Sequence, residues 1–457
     1  MTARSNSNSV NDIASLIHPY TNLARHAEAG PVIMTRGDGV FVEDDQGRRY
    51  LEGMSGLWST SLGFSERRLI DAAMRQFEKL PFYHLFNHRS VEPTIELAER
   101  LLAIAPKGLG KVLFANSGSE ANDQAVKLVW YYNNALGRPQ KKKIISRWRG
   151  YHGVTIASGS LTGLPGNHAD FDLPIANILH TDAPSHFHNA LPGESVTEFA
   201  ARLVDNLEQL ILKEGPETVA AFIAEPVCGS GGVIVPPEGY FEGVQKVLKK
   251  YDILFIADEV ICGFGRTGNM FGCETYDLKP DIMTVAKALS SSYLPISATL
   301  VSDDIHAAMI EQSRKLGGFV HGVTYSGHPV CAAVAVETLK IYEERDIVGH
   351  VREVSKHFQQ RLRAMAERPH VGEARGVGLI GALELVSDKK TRTPFDPNLA
   401  IGAGLQARAM DNGVIVRALR ECVAICPPLI IDEAQIDLLF DGVEKAFDEF
   451  ERTMQAA

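Results

Sequence analysis

Lys287 is the only charged residue between Asp281 and Asp303, flanked by Ile282-Met283-Thr284-Val285-Ala286 on one side and Ala288-Leu289 on the other. Burying an ammonium in such a run is costly, so its pKa falls and the neutral amine becomes a nucleophile for a carbonyl carbon. A lysine snorkelling to the surface would have the same flanks. A second apolar run, Phe255-Ile256-Ala257, ends in Asp258-Glu259-Val260, and open α/β sheets bind ligands at the carboxyl ends of their strands. A third segment, Asn116-Ser117-Gly118-Ser119-Glu120, joins the strand-like KVLFAN to a helical pattern through Ala121, Ala125, Leu128 and Tyr132. Free amides, hydroxyls and the positive end of the helix dipole suit a phosphate there, although Ser117 or Ser119 acting as a plain cap accounts for the same residues. A fourth, Arg147-Trp148-Arg149-Gly150-Tyr151-His152-Gly153, follows the strand-like KIIS and offers an aromatic face to a planar heterocycle, or simply to the core.

An amine, a carboxylate, an aromatic face and a phosphate cup are the parts that pyridoxal 5′-phosphate requires of a protein. Gly263-Phe264-Gly265-Arg266-Thr267-Gly268 spells a dinucleotide fingerprint, but no helical period follows it and an acidic pair intervenes after the strand, so that reading is rejected. His186 and His188 lack a third ligand at helical spacing, and no metal site is expected. Six cysteines, at 228, 262, 273, 331, 422 and 426, have no paired short spacing and read as reduced packing residues.

The elements that must position these groups come from ordinary alternation. From about Gly63, helix-period segments such as ERRLIDAAMRQFEKL and VEPTIELAERLLAIA alternate with KVLFAN, KIISRW, AAFIAEP, ILFIADEV, DIMTVAK and ISATLV. These apolar runs are strand-length and several lack polar alternation, which predicts an α/β layout with a mostly parallel central sheet. After about Tyr325 the pattern changes. Helical stretches at 330–344 and 351–367 lead into the β-like runs GVGLIGALELV, GVIVRAL and VAICPPL, and GDGVFVEDDQGRRYLEGM near the start reads as a hairpin that joins them. The expected division is a large domain over 60–325 and a smaller α+β domain from 1–59 and 326–457.

A net charge of −10 argues against a nucleic-acid partner, since phosphates are neutralised by clustered Lys and Arg. The densest basic stretch, Lys141-Lys142-Lys143 with Arg147 and Arg149, reads as a solvated patch. No run reaches the roughly 18 apolar residues of a membrane span, and MTARSNSNSVNDIASLIHPY has no signal-like apolar core. The expected location is cytoplasmic, with the Ser/Asn-rich first ten residues frayed.

The same segments resemble the class III, or omega, aminotransferases of pyridoxal-phosphate fold type I. The likeness runs along essentially the whole chain, from Trp58 in MSGLWSTSLGF through FIADEVICGFGRTG, AKALSSSYLPISA and HGVTYSGHP to VIVRAL. Amine:pyruvate and polyamine:pyruvate transaminases share most of these segments. The resemblance implies a Schiff base at Lys287, Asp258 on the pyridine nitrogen, Tyr151 on one ring face and Val260 on the other. It implies Ser117, Gly118 and Ser119 at the phosphate, with His152 and Glu225 in the same pocket. Thr324 is implied to reach the phosphate of a neighbouring subunit, hence a homodimer with active sites at the interface, a tetramer being left open. Tyr20, Trp58, Phe86, Tyr151 and Ser230 are implied to line the substrate pocket, and Arg417 to bind a substrate carboxylate and swing aside for an amine, with Arg420 as its competitor.

Two residues depart from the family pattern. Ala288 follows the lysine where glycine is common, and Cys228 stands where many relatives have a glutamine that contacts the cofactor ring oxygen. The implied activity is ping-pong transfer of an amino group from an ω-amine, diamine or amino acid to a keto acid, pyruvate first among them. Lys287 serves there as general base. A decarboxylase, aminomutase or racemase could use the same lysine and aspartate, and the amine itself is not named by the residues.

Overall fold

Residues 34–52 form three short strands, Met34–Asp38 (β1), Phe41–Asp44 (β2) and Arg49–Glu52 (β3). Along β2 the alternation is direct, with Val42 and Asp44 buried while Phe41 and Glu43 are half-buried. In the computed structural model, which describes residues 7–456, β2 pairs antiparallel with both neighbours. Of the ten residues expected to fray, 1–6 lie outside the described residues. The rest begin a helix, Ser7–Ser15. Asp12 on that helix hydrogen-bonds His18 and His26, and side-chain ties of this kind hold a terminus in place.

The central sheet is built from Leu109–Ala115 (β4), Lys143–Arg147 (β5), Ile178–Thr181 (β6), Val219–Ala224 (β7), Leu254–Asp258 (β8), Ile282–Val285 (β9) and Ser297–Ser302 (β10). Its order is β4-β10-β9-β8-β7-β5-β6. The pairings from β9 to β6 are parallel, and β10 runs antiparallel to both β9 and β4. Every residue of β7 and β9 is buried, which is why these runs show no polar alternation. Successive residues still point to opposite faces. Ala221 and Ile223 pack with Ala125, Leu128 and Val129 of the helix Gly118–Ala135, while Phe222 and Ala224 pack in the cluster holding Phe199, Leu203, Leu207 and Val244 from the helices Val196–Glu214 and Tyr240–Lys250.

Beyond the helices Pro329–Glu344 and Ile347–Ala364 lies a second antiparallel sheet of Val371–Val377 (β11), Ile380–Leu385 (β12), Arg417–Leu419 and Cys422–Ile425. Val414–Ile415 (β13) leaves that sheet and pairs parallel with β3, Leu51 opposite Val414, so the two chain ends share one ladder. Arg417–Leu419 (β14) and Cys422–Ile425 (β15) then form a hairpin whose second strand pairs with β12. The run GVIVRAL is therefore split between two sheets, and GVGLIGALELV is cut by a turn at Gly378. No helix among the described residues is long and apolar enough to cross a membrane.

Candidate active site

Because β10 runs antiparallel to both β9 and β4, β4 points the same way as the parallel strands and ends on the same side of the sheet. The carboxyl ends of β4, β5, β7, β8 and β9 therefore converge, and each is followed by one of the chemically distinctive segments. They open into a cavity of about 820 Å³ lined by Tyr20, Trp58, Gly118, Ser119, Tyr151, His152, Glu225, Ser230, Asp258, Val260, Lys287 and Arg417. That is within the usual size of a small-molecule site.

Lys287 follows β9 on a single 3₁₀ turn, with its own φ at +53°, a left-handed conformation unusual for a residue with a side chain. Removal from water pushes its ammonium down to about 8, against the opposing pull of the Asp258 and Glu225 carboxylates. Only the neutral amine is nucleophilic. Covalent capture of pyridoxal phosphate by cofactor-free enzyme is therefore expected to accelerate about tenfold per pH unit below pH 8 and to level off above it. Stopped-flow absorbance across pH 6.5–9.5 reads this, and a rate still climbing at the upper end would indicate an ordinary lysine.

Asp258 is buried and held by three donors. Asn122 Nδ2 lies 2.8 Å and His152 Nδ1 2.7 Å from Oδ2, and the Val260 amide donates to Oδ1 at 3.0 Å. Asn122 also donates to the His152 carbonyl at 2.7 Å and accepts from Thr284 Oγ1 at 2.9 Å. Glu225, at the end of β7, accepts from the Tyr151 amide and the Gly229 amide, both at 2.9 Å, and burial raises its pKa. It thereby fixes the backbone that carries Tyr151. At the helix start, Ser117 Oγ accepts from the Glu120 amide at 3.2 Å while the Glu120 carboxylate accepts from the Asn116 amide at 2.9 Å, a reciprocal cap. The Ser117 hydroxyl is thus engaged by the helix and stands outside the cavity. Gly118 and Ser119 face it. A Cβ on Gly153 would come within 2.4 Å of Ser119 Oγ, so only glycine lets this loop approach the helix start.

This arrangement fits pyridoxal phosphate on its own geometry. A desolvated amine, a carboxylate oriented by three donors, the Tyr151 ring and the open amide end of an 18-residue helix share one cavity, where His152 Nε2 is buried without a protein partner among the described residues. The cavity adds residues that sequence reasoning passed over, Asn122, Asn167, Leu57 and Leu419, and it takes in Arg149, which was expected in a solvated patch but is half-buried here. Asn122 lies four positions beyond Gly118 on the same helix face, and that spacing was the available signal.

Phe86 and Thr324 are exposed and lie elsewhere on this chain, in neighbouring segments, since a Cβ on Gly322 would meet the Phe86 ring at 3.2 Å. Cys228 is fully buried, bridges by backbone to Ile234 and does not line the cavity. Arg266, in the glycine run, is buried and donates to the Leu379 and Pro427 carbonyls at 2.9 and 2.6 Å, a structural clasp between segments. His188 Nε2 lies 2.9 Å from Glu384, and all six cysteines are free and buried.

The sequence profile of the family described as aminotransferase class-III matches residues 23–447. Gamma aminobutyrate transaminase 3, chloroplastic, of Solanum lycopersicum is 52% identical over 441 residues, covering 96% of this chain and 85% of that protein. Among solved structures, the omega transaminase of Pseudomonas jessenii in complex with PMP superposes with a TM-score of 0.96 at 54% identity, covering 97% of this chain and 98% of the other. A structure described as a transaminase with L-ala gives 0.92 at 56% identity, covering 93% of this chain and all of the other.

Proposed function

Since the chain belongs to the class-III aminotransferase family and is a pyridoxal-phosphate-dependent transaminase of fold type I, we propose that it moves the amino group of a terminal amine to pyruvate. The observation that carries this is the guanidinium of Arg417 in the same cavity as Lys287 and Asp258, with no carboxylate paired to it among the described residues. Burial pushes its pKa down, so it is a cation short of compensation. Arg420 also lines the cavity but is exposed, which makes Arg417 the stronger anchor.

When bound, the cofactor supplies an aldehyde that exchanges amines and a ring that takes up the electron pair released at the substrate carbon. Lys287 Nζ is the attachment point and, once free, the base that removes the proton from that carbon. Asp258 would hold the protonated ring nitrogen, with Asn122, His152 and the Val260 amide keeping its oxygens in place. Tyr151 and Val260 would enclose the ring, and Gly118 and Ser119 would hold the phosphate. Trp58, Leu57 and Leu419 give the substrate side apolar walls. Of the two half-buried arginines there, Arg149 donates to the Gly231 carbonyl and lies 4.0 Å from Glu421, which leaves Arg417 to take a carboxylate bidentately. Relatives named for gamma-aminobutyrate, and omega transaminase neighbours, support an amine at the end of a carbon chain as donor.

Alanine formation from pyruvate with a panel of amines tests the proposal, and no alanine from any donor would refute it. In that assay Arg417→Ala is expected to raise KM for pyruvate about 10- to 100-fold, the scale of a charge-assisted hydrogen-bonded pair, while sparing a simple aryl amine. Equal losses for both substrates would contradict the assigned role.

The working unit is a homodimer in this reading. Phe86 and Thr324 sit on one exposed face with Phe82, Val320 and Tyr325, an apolar patch of the kind that subunits cover. Light scattering is expected to give at least twice the chain mass of 49.9 kDa. A monomer retaining full activity would remove Thr324 from the site.

A further inference from the structure

Near the start of the described chain, three side chains with metal-binding atoms converge. Asp12 lies on the helix Ser7–Ser15, His18 in the loop that follows and His26 on the helix Leu23–Ala29. Nε2 of His18 and Nε2 of His26 lie 2.9 and 3.0 Å from the same atom, Asp12 Oδ1. The three ligand atoms are all within 4.8 Å of one another, and the two imidazole centroids are 4.1 Å apart.

We propose that Asp12, His18 and His26 bind one Zn²⁺ ion per chain, with water completing the coordination. Two imidazoles and a carboxylate form a borderline donor set suited to zinc. Bond lengths of about 2.0–2.1 Å in a tetrahedral site place ligand atoms about 3.3 Å apart, close to the two Asp–His separations already present. The side chains are 15%, 31% and 11% exposed for Asp12, His18 and His26, which shields the site while leaving one side open to water. Without metal, each Nε2–H donates to the carboxylate. With metal, each ring carries its proton on Nδ1 and turns the Nε2 lone pair to the ion.

The site has a mechanical consequence for the cavity. Pro19 and Tyr20, immediately after His18, line it, and the Tyr20 hydroxyl accepts from Asn167 Nδ2 at 2.5 Å and lies 3.5 Å from the Tyr151 hydroxyl. A zinc ion would pin both flanking helices and the loop between them, so it would act as a structural staple for that wall of the substrate pocket. The histidines follow Asp12 at six and fourteen positions. The three residues lie in three separate segments, so no short ligand motif marks them in the sequence, which was expected to hold no metal.

The test uses tag-free holoenzyme stripped with EDTA and titrated with ZnCl₂ by calorimetry, beside Asp12→Asn and His26→Gln. One equivalent is expected to bind the wild type, and each variant is expected to bind at least about tenfold more weakly. No binding by the wild type, or unchanged affinity in both variants, overturns the site. Cobalt titration of the wild type is a second readout that needs no variant. A visible band saturating at one equivalent is expected, and its absence counts against the proposal equally.

Discussion

Lys287→Ala is expected to abolish covalent attachment of the cofactor and to lower turnover by four or more orders of magnitude. The side chain has two tasks, and general acid–base transfer alone is worth about 10²–10⁴-fold. Among the described residues no other amine lines the cavity to take over either of them. Folding should survive, since the substitution removes a desolvated ammonium and leaves β9 and its buried neighbours intact. Borohydride reduction followed by peptide mass mapping reads the first effect, with cofactor mass on the peptide containing residue 287 in the wild type and none in the variant. A lysine-bound absorption band that persisted in the variant would sink the assignment.

The second largest effect is expected at Asp258. Removing one partner of a buried charge pair costs roughly 3–5 kcal/mol. If that loss falls on the transition state, Asp258→Ala slows turnover by about two to four decades. The geometry adds a second consequence. The alanine leaves Asn122 Nδ2, His152 Nδ1 and the Val260 amide without their shared acceptor. Buried donors left so cost about 1–3 kcal/mol each, and the variant should also melt at lower temperature. Asp258→Asn separates the two causes. It keeps an acceptor oxygen and most of the packing but loses the charge, so its turnover should stay low while its melting temperature largely recovers. Near-normal turnover in either variant would count against the ring-nitrogen role.

Several parts of this site were legible in residue order because each depends on local rules. The apolar runs of β7, β8 and β9 announce buried parallel strands without reference to anything else, and Asp258 and Lys287 follow two of those runs directly. Other parts depend on how strands pair. β6 is only four residues, Ile178-Leu179-His180-Thr181, and its mixed polarity hides it until β5 supplies the partner ladder. The single run GVIVRAL becomes β13 and β14 in different sheets because residue 414 faces β3 from the other end of the chain while residue 417 faces β15. That split places Arg417 in the same cavity as Lys287, although 130 positions separate them.

The same division holds for individual roles. Ser117, Gly118 and Ser119 look interchangeable as letters, and only the reciprocal cap with Glu120 engages Ser117 with the helix while Gly118 and Ser119 face the cavity. Asn122 carries no motif, yet it joins Asp258, His152 and Thr284 through three hydrogen bonds. Residue types and their order determined the chemistry, because an amine in an apolar run, a strand-end carboxylate and a glycine-serine helix start each have a physical meaning alone. Which carboxylate oxygen meets which donor, which arginines share the lysine's cavity and how three unremarkable side chains near residue 20 come within hydrogen-bonding distance were decided only by tertiary structure. Those are contacts between segments remote in the chain, and sheet order rather than spacing sets their distances.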